Sequence, residues 1–201
     1  MGIGKSRTFI EAVRLRRAAQ VLILCPASAV LVWKREITLW HTGATYVVVR
    51  NIADLETLAD YHVITHGLMS QKNGPIPEAL AIGRTYDMTA IDEAHAYNAP
   101  DTNRVRALRK VAPKLGQIVP LSGTPMRNHA GDLYTLLSIC YPQCLAKAGG
   151  LPIMQQQLAL DALSRAKYNQ IAKSVRGTSN DLPAFNILEW ALPLSMPKKK
   201  S

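Results

Sequence analysis

The sequence predicts an α/β domain in which a parallel sheet carries helices on both of its faces. Three observations support this. Short apolar runs alternate with longer, helix-patterned stretches over most of the chain. The best defined of these runs are wholly apolar instead of alternating, which is the pattern of a strand buried on both sides. Two of them end in residues suited to a ligand site, an acidic pair in one case and Ser-Gly-Thr-Pro in the other.

Taken in order, the elements begin with Met1-Gly2-Ile3-Gly4-Lys5-Ser6, the second half of the phosphate-binding pattern G-x-x-x-x-G-K-[ST]. A helix follows, with Phe9, Ile10 and Val13 forming its apolar stripe and Arg7, Arg14 and Arg17 largely off it. Residues 21–24 form a buried strand that Pro26 ends, and a helix spans residues 28–40. A strand at 46–49, a short helix at 52–59 and a strand at 62–65 come next. Gly67 begins a loop or helix, and Asn73-Gly74-Pro75 reads as a turn. Residues 88–91 form another buried strand ending at Asp92; a helix at 102–111, a strand at 117–121 and a helix at 131–139 complete the alternation. Beyond Tyr141-Pro142 the pattern changes. Residues 154–174 read as a mostly amphipathic helix, 176–183 as a polar connector and 185–194 as a lone strand.

Composition bounds the class. The 201 residues include 24 Lys and Arg against 14 Asp and Glu, a formal net charge of +10, with 48% apolar and 19% charged residues. Such a chain can bury a core and is not disordered, coiled-coil or collagen-like. The positive excess points to a polyanionic partner, nucleic acid first, although Lys198, Lys199 and Lys200 contribute to it from the very end of the chain. Cys25, Cys140 and Cys144 are too few, and odd in number, for a secreted disulfide scaffold, and no His or Cys pair completes a zinc spacing with them. The uncharged run 18–33 contains Gln20, Pro26 and Ser28 and is followed at once by Lys34 and Arg35, so it is not read as a membrane span. The expected setting is the cytoplasm in association with DNA, or the nucleus in a eukaryote.

Two motifs carry chemistry. A glycine-rich loop opening a helix holds phosphate because free backbone N–H groups and the helix dipole both point at the anion. There Lys5 would reach the β- and γ-phosphates of a nucleotide and Ser6 would ligate Mg²⁺. The second motif, Asp92-Glu93-Ala94-His95, follows the buried strand at 88–91. An acidic residue at the carboxyl end of a parallel strand stands beside the phosphate loop and can hold the metal's water shell, and Glu93 can orient or deprotonate an attacking water.

With Leu121-Ser122-Gly123-Thr124-Pro125 after the next strand, the sequence resembles the Swi/Snf-type ATPases of helicase superfamily two, which carry M-G-L-G-K-T, D-E-A-H and S-G-T-P in this order. Cys25-Pro26 with Trp33 and Glu36 is similar to the family's C-P-x-x-x-x-x-W-x-x-E segment, and Val63-Ile64-Thr65-His66-Gly67-Leu68 to its V-I-T-Y-G-L. Thr124-Pro125-Met126-Arg127-Asn128, with Asp132-Leu133 and Leu136-Leu137, is similar to T-P-I-x-N and the following E-L-x-x-L-L. The resemblance is close over residues 1 to 142 and loose beyond.

The resemblance implies a three-layer RecA-like fold of the P-loop NTPases, ATP and Mg²⁺ as cofactors, and double-stranded DNA as partner. It assigns Gly2, Gly4, Lys5 and Ser6 to nucleotide binding, Ser6 and Asp92 to the metal, and Lys5, Asp92 and Glu93 to catalysis. His95, Ser122 and Thr124 match positions that couple nucleotide state to movement, and Ser28, Thr65 and His66 match contacts to the DNA backbone. Two basic groups, Arg14, Arg16, Arg17, Lys34 and Arg35 in one and Arg104, Arg106, Arg109, Lys110 and Lys114 in the other, are further candidates for phosphate contact.

Departures accompany the match. The strand entering the phosphate loop and the first loop glycine are not in the sequence, and Ala96-Tyr97-Asn98-Ala99 stands where the family has R-x-K-N. The expected organisation is a first RecA-like lobe at 1–145, a helical extension at 146–180 and the incomplete start of a second lobe at 181–201. The expected function is the ATP- and DNA-binding lobe of a truncated or split DNA-dependent ATPase that moves on duplex DNA when a second lobe is present, a separate chain being one possible source of that lobe. The alternatives are a non-catalytic remnant or regulatory DNA-binding module, and an unrelated P-loop NTPase with another substrate.

Overall fold

The structure, a computed structural model, describes residues 4–71, 74–123 and 130–143. Five strands form one parallel sheet: β1 (Val21–Cys25), β2 (Tyr46–Val48), β3 (Tyr61–Thr65), β4 (Met88–Asp92) and β5 (Gln117–Leu121). Their spatial order is β2-β3-β1-β4-β5, every neighbouring pair running parallel. Parallel pairing obliges each connection to cross back over the sheet, and helices do so here. After α1 (Lys5–Arg16), which precedes β1, the crossing helices are α2 (Val30–Trp40), α3 (Ile52–Glu56), α4 (His66–Met69), α5 (Pro75–Ile82) and α6 (Asn103–Val111), and α7 (Ala130–Cys140) follows β5.

Side-chain alternation along the strands builds two cores. From β1, Val21, Ile23 and Cys25 join Phe9, Ile10 and Val13 of α1 and Trp33 and Ile37 of α2 on one face. Leu22 and Leu24 join Met69 of α4, Ile76 and Leu80 of α5, Val105 and Leu108 of α6 and Leu136 of α7 on the other. β1, at the centre, is buried at all five positions, which explains why it reads as continuously apolar. The edge strand β2 is only half-buried.

Each of the five strands expected between residues 21 and 121 is present, and the stripe Phe9, Ile10, Val13 is the buried face of α1. Three helices differ from expectation. The segment at 28–40 enters through a 3-10 turn, Ala27–Ala29, before α2 proper. α3 stops at Glu56, a single short helix fixed by the reciprocal bonds of Asn51 and Asp54. α5 was not anticipated, because Asn73-Gly74-Pro75 has the composition of a turn. Pro75 in fact occupies the first turn of α5, where its missing N–H is no loss, and Gly74 is the N-cap. The expected extension at 146–180 and second-lobe start at 181–201 lie outside the described residues.

Gly116 turns the chain into β5 at φ +55°, and a Cβ there would stand 2.3 Å from the Tyr86 carbonyl oxygen and 2.4 Å from that of Asp87. Neither oxygen can retreat easily, since Asp87 O accepts from Gln117 N at 3.0 Å at the start of the β4–β5 ladder. Gly116→Ala is expected to cost at least ~2 kcal/mol of unfolding free energy, measured by urea denaturation.

His62 of β3 is fully buried; its Nε2–H donates to Thr57 O at 3.1 Å and its Nδ1 meets no partner. Burial holds this imidazole below the ordinary histidine range, the nearby Arg84 charge adds to the effect, and the bond to Thr57 opposes it. Below pH about 6.5 the unfolded chain therefore gains a proton that the folded chain refuses, so stability falls as pH drops. One refused proton sets a limiting slope of about 1.4 kcal/mol per pH unit. His62→Val should show a shallower fall in unfolding free energy between pH 7 and 5 than the parent chain.

Candidate functional site

The strand register sets the site. β1 aligns Cys25 with Thr65 of β3 and Leu24 with Ile91 of β4, while β4 aligns Asp92 with Leu121 of β5. The carboxyl ends of four adjacent strands thus form one edge, and the loops bearing Ser28, Thr65, Asp92 and Ser122 all leave from it. In an open α/β sheet this edge is where ligands bind.

α1 starts at the same edge. Gly4 caps it in the left-handed conformation, φ 77°, and the first helical bond runs from Thr8 N to Gly4 O at 2.9 Å. The first turn contains no acidic residue but does contain Lys5 and Arg7, so the positive helix end and two cations together lack an internal counter-anion on this helix. Lys5 Nζ reaches across to Glu93 Oε1 at 3.4 Å. Ser6 lies half-buried on that first turn.

From Glu93 the contacts continue. His95 Nδ1 lies 3.2 Å from Glu93 Oε2 and 3.3 Å from Ser122 Oγ. Lys5, Glu93, His95 and Ser122 therefore form one chain linking three separate sequence motifs. Glu93 itself is held at φ 48°, ψ 50°, a left-handed conformation that costs a non-glycine residue on the order of 1–3 kcal/mol. That twist turns the chain sharply after Asp92 and places Glu93 between Lys5 and His95.

Asp92 is held separately. Its Oδ2 accepts from Trp33 Nε1 at 2.9 Å and its Oδ1 from Glu93 N at 3.0 Å. Its backbone oxygen accepts from His66 Nε2 at 2.8 Å, and His66 Nδ1 lies 3.1 Å from the Tyr97 hydroxyl. Burial pushes the His66 pKa down to about 4 against the opposing Asp92 bond, with Arg104 adding to the depression. The ring is therefore neutral, with its proton on Nε2, and it accepts from the tyrosine.

His66, expected at a DNA contact, is placed inside the protein. The side chain is 6% exposed and both nitrogens are engaged inside the protein, so the imidazole has no edge left for a ligand. Arg104 is likewise withdrawn: it donates to Ser70 Oγ and Ala96 O and sits 5.7 Å from the Tyr97 ring centroid. Lys110 pairs with Glu78. Ser28 is exposed and Thr65 half-buried, its hydroxyl capping α4 through Leu68 N at 3.4 Å. Gly2 and Thr124 lie outside the described residues.

Sequence reasoning missed Trp33, Tyr97 and Arg104 as parts of this region. Trp33 was visible only as a pattern match, and the buried pair His66–Tyr97 joins positions far apart in the chain. Cys25 and Cys140 are poor nucleophiles, their pKa values pushed up to about 12 by burial, with the Asp92 charge adding to the effect at Cys25. No cluster of three or more metal-ligating side chains occurs among the described residues. No described helix is long and apolar enough to cross a membrane.

The family model of the SNF2-related domain matches residues 1–176. Among curated proteins, the ATP-dependent helicase rhp16 of Schizosaccharomyces pombe is 28% identical over 157 residues, covering 68% of this chain and 18% of its own length. Protein CHROMATIN REMODELING 19 of Arabidopsis thaliana is 24% identical over 163 residues, covering 71% and 21%. This chain thus spans about a fifth of the length of these relatives. Among solved structures, the Sulfolobus solfataricus SWI2/SNF2 ATPase core in complex with dsDNA superposes with a TM-score of 0.60 at 20% identity, over 78% of this chain and 32% of that one. The shared architecture is the RecA-like parallel sheet with flanking helices. With its family model covering most of the sequence and its sheet matching a SWI2/SNF2 core, the chain belongs to the SNF2-related domain family and has a RecA-like fold.

Proposed function

We propose that this chain binds ATP with Mg²⁺ and duplex DNA, and that it forms the first lobe of a Swi/Snf-like translocase whose turnover requires a second RecA-like lobe, in the same or a separate chain. The observation that carries this reading is the chain of contacts Lys5–Glu93–His95–Ser122 at the carboxyl edge of the sheet. Three motifs, distant in sequence, meet there in the order that nucleotide chemistry needs.

Gly2, Gly4 and the first amides of α1 cradle the phosphates, with Lys5 supplying charge. Ser6 and Asp92 hold Mg²⁺, which when bound neutralises charge on the phosphates. Glu93 orients the attacking water and takes its proton. Lys5 engages Glu93. A phosphate competing for Lys5 releases that carboxylate for its role as base, so loading the site also arms it. His95 feels the change through Glu93 and passes it to Ser122, next to Thr124. Ser28 and Thr65, on neighbouring strand ends, contact the DNA backbone, helped by the exposed Arg35 of α2. Such contacts track phosphates without reading bases. The protein is then DNA-associated wherever the cell keeps its DNA.

Removing one charge-assisted phosphate contact costs about 2 kcal/mol, or roughly 30-fold. Lys5→Ala should weaken binding of a fluorescent ATP analogue with Mg²⁺ by that factor and leave duplex binding unchanged. Duplex affinity should itself fall at least ~10-fold between ~50 and ~200 mM salt, as counterion release requires. Brisk ATPase from this chain alone, abolished by Lys5→Ala, would overturn the need for a second lobe.

Glu93 gives an opposing pair of effects. Glu93→Gly relieves the left-handed strain and is expected to raise unfolding free energy by on the order of 1 kcal/mol. The same change should abolish any ATPase obtained with a second lobe while nucleotide binding persists. Calorimetry and single-turnover hydrolysis read the two effects separately.

A further inference from the structure

Trp33 is fully buried in α2, and its one polar atom needs an acceptor at that depth. A backbone carbonyl would serve. Instead the indole N–H is spent on Asp92 Oδ2 at 2.9 Å, while Oδ1 is taken by the Glu93 amide at 3.0 Å. Each carboxylate oxygen carries two lone pairs, so one donor per oxygen locks the plane of the group and leaves one lone pair on each for another ligand. The same indole packs edge-on against Phe9, with ring centroids 6.2 Å apart and planes at 86°. Phe9 lies four positions after Lys5 on α1, one turn along the helix that opens at the phosphate loop. One side chain therefore touches both the helix bearing Lys5 and Ser6 and the carboxylate at the end of β4.

We infer that Trp33 is the positioning residue for the magnesium site: it fixes the Asp92 carboxylate by hydrogen bond and sets its distance from the phosphate-loop helix by contact with Phe9. The inference rests on the reading of Asp92 as a magnesium carboxylate. A donor that orients a ligating carboxylate raises metal affinity because the ligand no longer loses rotational freedom on binding. Trp40, seven positions on in the same helix, provides the contrast. Its Nε1 donates to Glu36 Oε2 at 2.9 Å, away from Asp92.

The test is a Mg²⁺ titration of fluorescent ATP-analogue binding to the whole chain, its Trp33→Phe, Trp40→Phe and Asp92→Asn variants, with affinity in EDTA measured alongside. Trp33→Phe should raise the half-saturating Mg²⁺ concentration about tenfold. It should leave affinity in EDTA unchanged and recover fully in excess Mg²⁺, a rescue that mere loss of packing would not show. Trp40→Phe should match the parent. A parent-like Mg²⁺ requirement in Trp33→Phe, with Asp92→Asn impaired, overturns the role of Trp33 alone. Equal affinity in EDTA and Mg²⁺ for the parent, unaffected by Asp92→Asn, overturns the magnesium reading and this inference together. Should Trp33→Phe fail to fold, the indole ¹⁵N–H resonance of Trp33 decides the matter, assigned by elimination with Trp40→Phe and Trp190→Phe. Displacement of that resonance by Mg²⁺ and nucleotide together, but not by nucleotide in EDTA, supports the role; a resonance indifferent to Mg²⁺ overturns it.

Discussion

Parallel pairing around β1 is the constraint on which the rest of this structure depends. Because β3, β1, β4 and β5 all run the same way in register, their carboxyl ends coincide, and the residues leaving them are forced into one neighbourhood. A single reversed strand would carry either the acidic turn or Ser122 to the far edge. The cost of this arrangement is that every connection must cross a face of the sheet, and the crossing helices bury it on both sides. The candidate-site edge and the two-layered core are therefore consequences of one topological choice.

Within that edge, opposite kinds of restraint act on consecutive residues. Asp92 is tied at three atoms, by Trp33, His66 and the Glu93 amide. Glu93 carries backbone strain, and its side chain pairs with the partly exposed ends of Lys5 and His95. A rigid carboxylate suits a metal, whose geometry must not drift. A carboxylate released from Lys5 by a competing anion suits a base, which must change partners during a cycle. The left-handed turn at Glu93 breaks the strand direction immediately after Asp92, so the two adjacent carboxylates meet different surroundings.

Much of this was legible in the sequence. The strands announced themselves because burial on both faces removes polar residues from runs such as Val21-Leu22-Ile23-Leu24, and the motif residues followed from their places at strand ends. What escaped was decided by partners remote in the chain. His66 stands where related sequences carry tyrosine, and nothing local to it reveals that its ring bonds the Asp92 carbonyl and the Tyr97 hydroxyl. α5 escaped for a different reason: Pro and Gly signal a turn and the first turn of a helix with the same residues, and only the buried stripe Ile76, Pro77 and Leu80 separates the two cases.

The same distinction alters what the net charge means. A formal excess of +10 counts every cation equally, but the structure does not. Arg104 is stacked and bonded within the fold, Lys110 pairs with Glu78, Arg14 pairs with Glu11, and Arg7 lies over the Trp40 ring at 3.9 Å. Lys5 is committed to the acidic turn. A phosphate backbone seeking counter-charge on the described residues would have to draw on those that remain exposed, such as Arg35 in α2 after the carboxyl end of β1, since Arg16 and Arg17 close α1 at the opposite, amino end of that strand. The electrostatic footprint is thus narrower than the composition suggests, and it lies on the helix that Phe9 and Trp33 lock to α1. Any strain that a bound duplex places on that helix would be felt at Asp92.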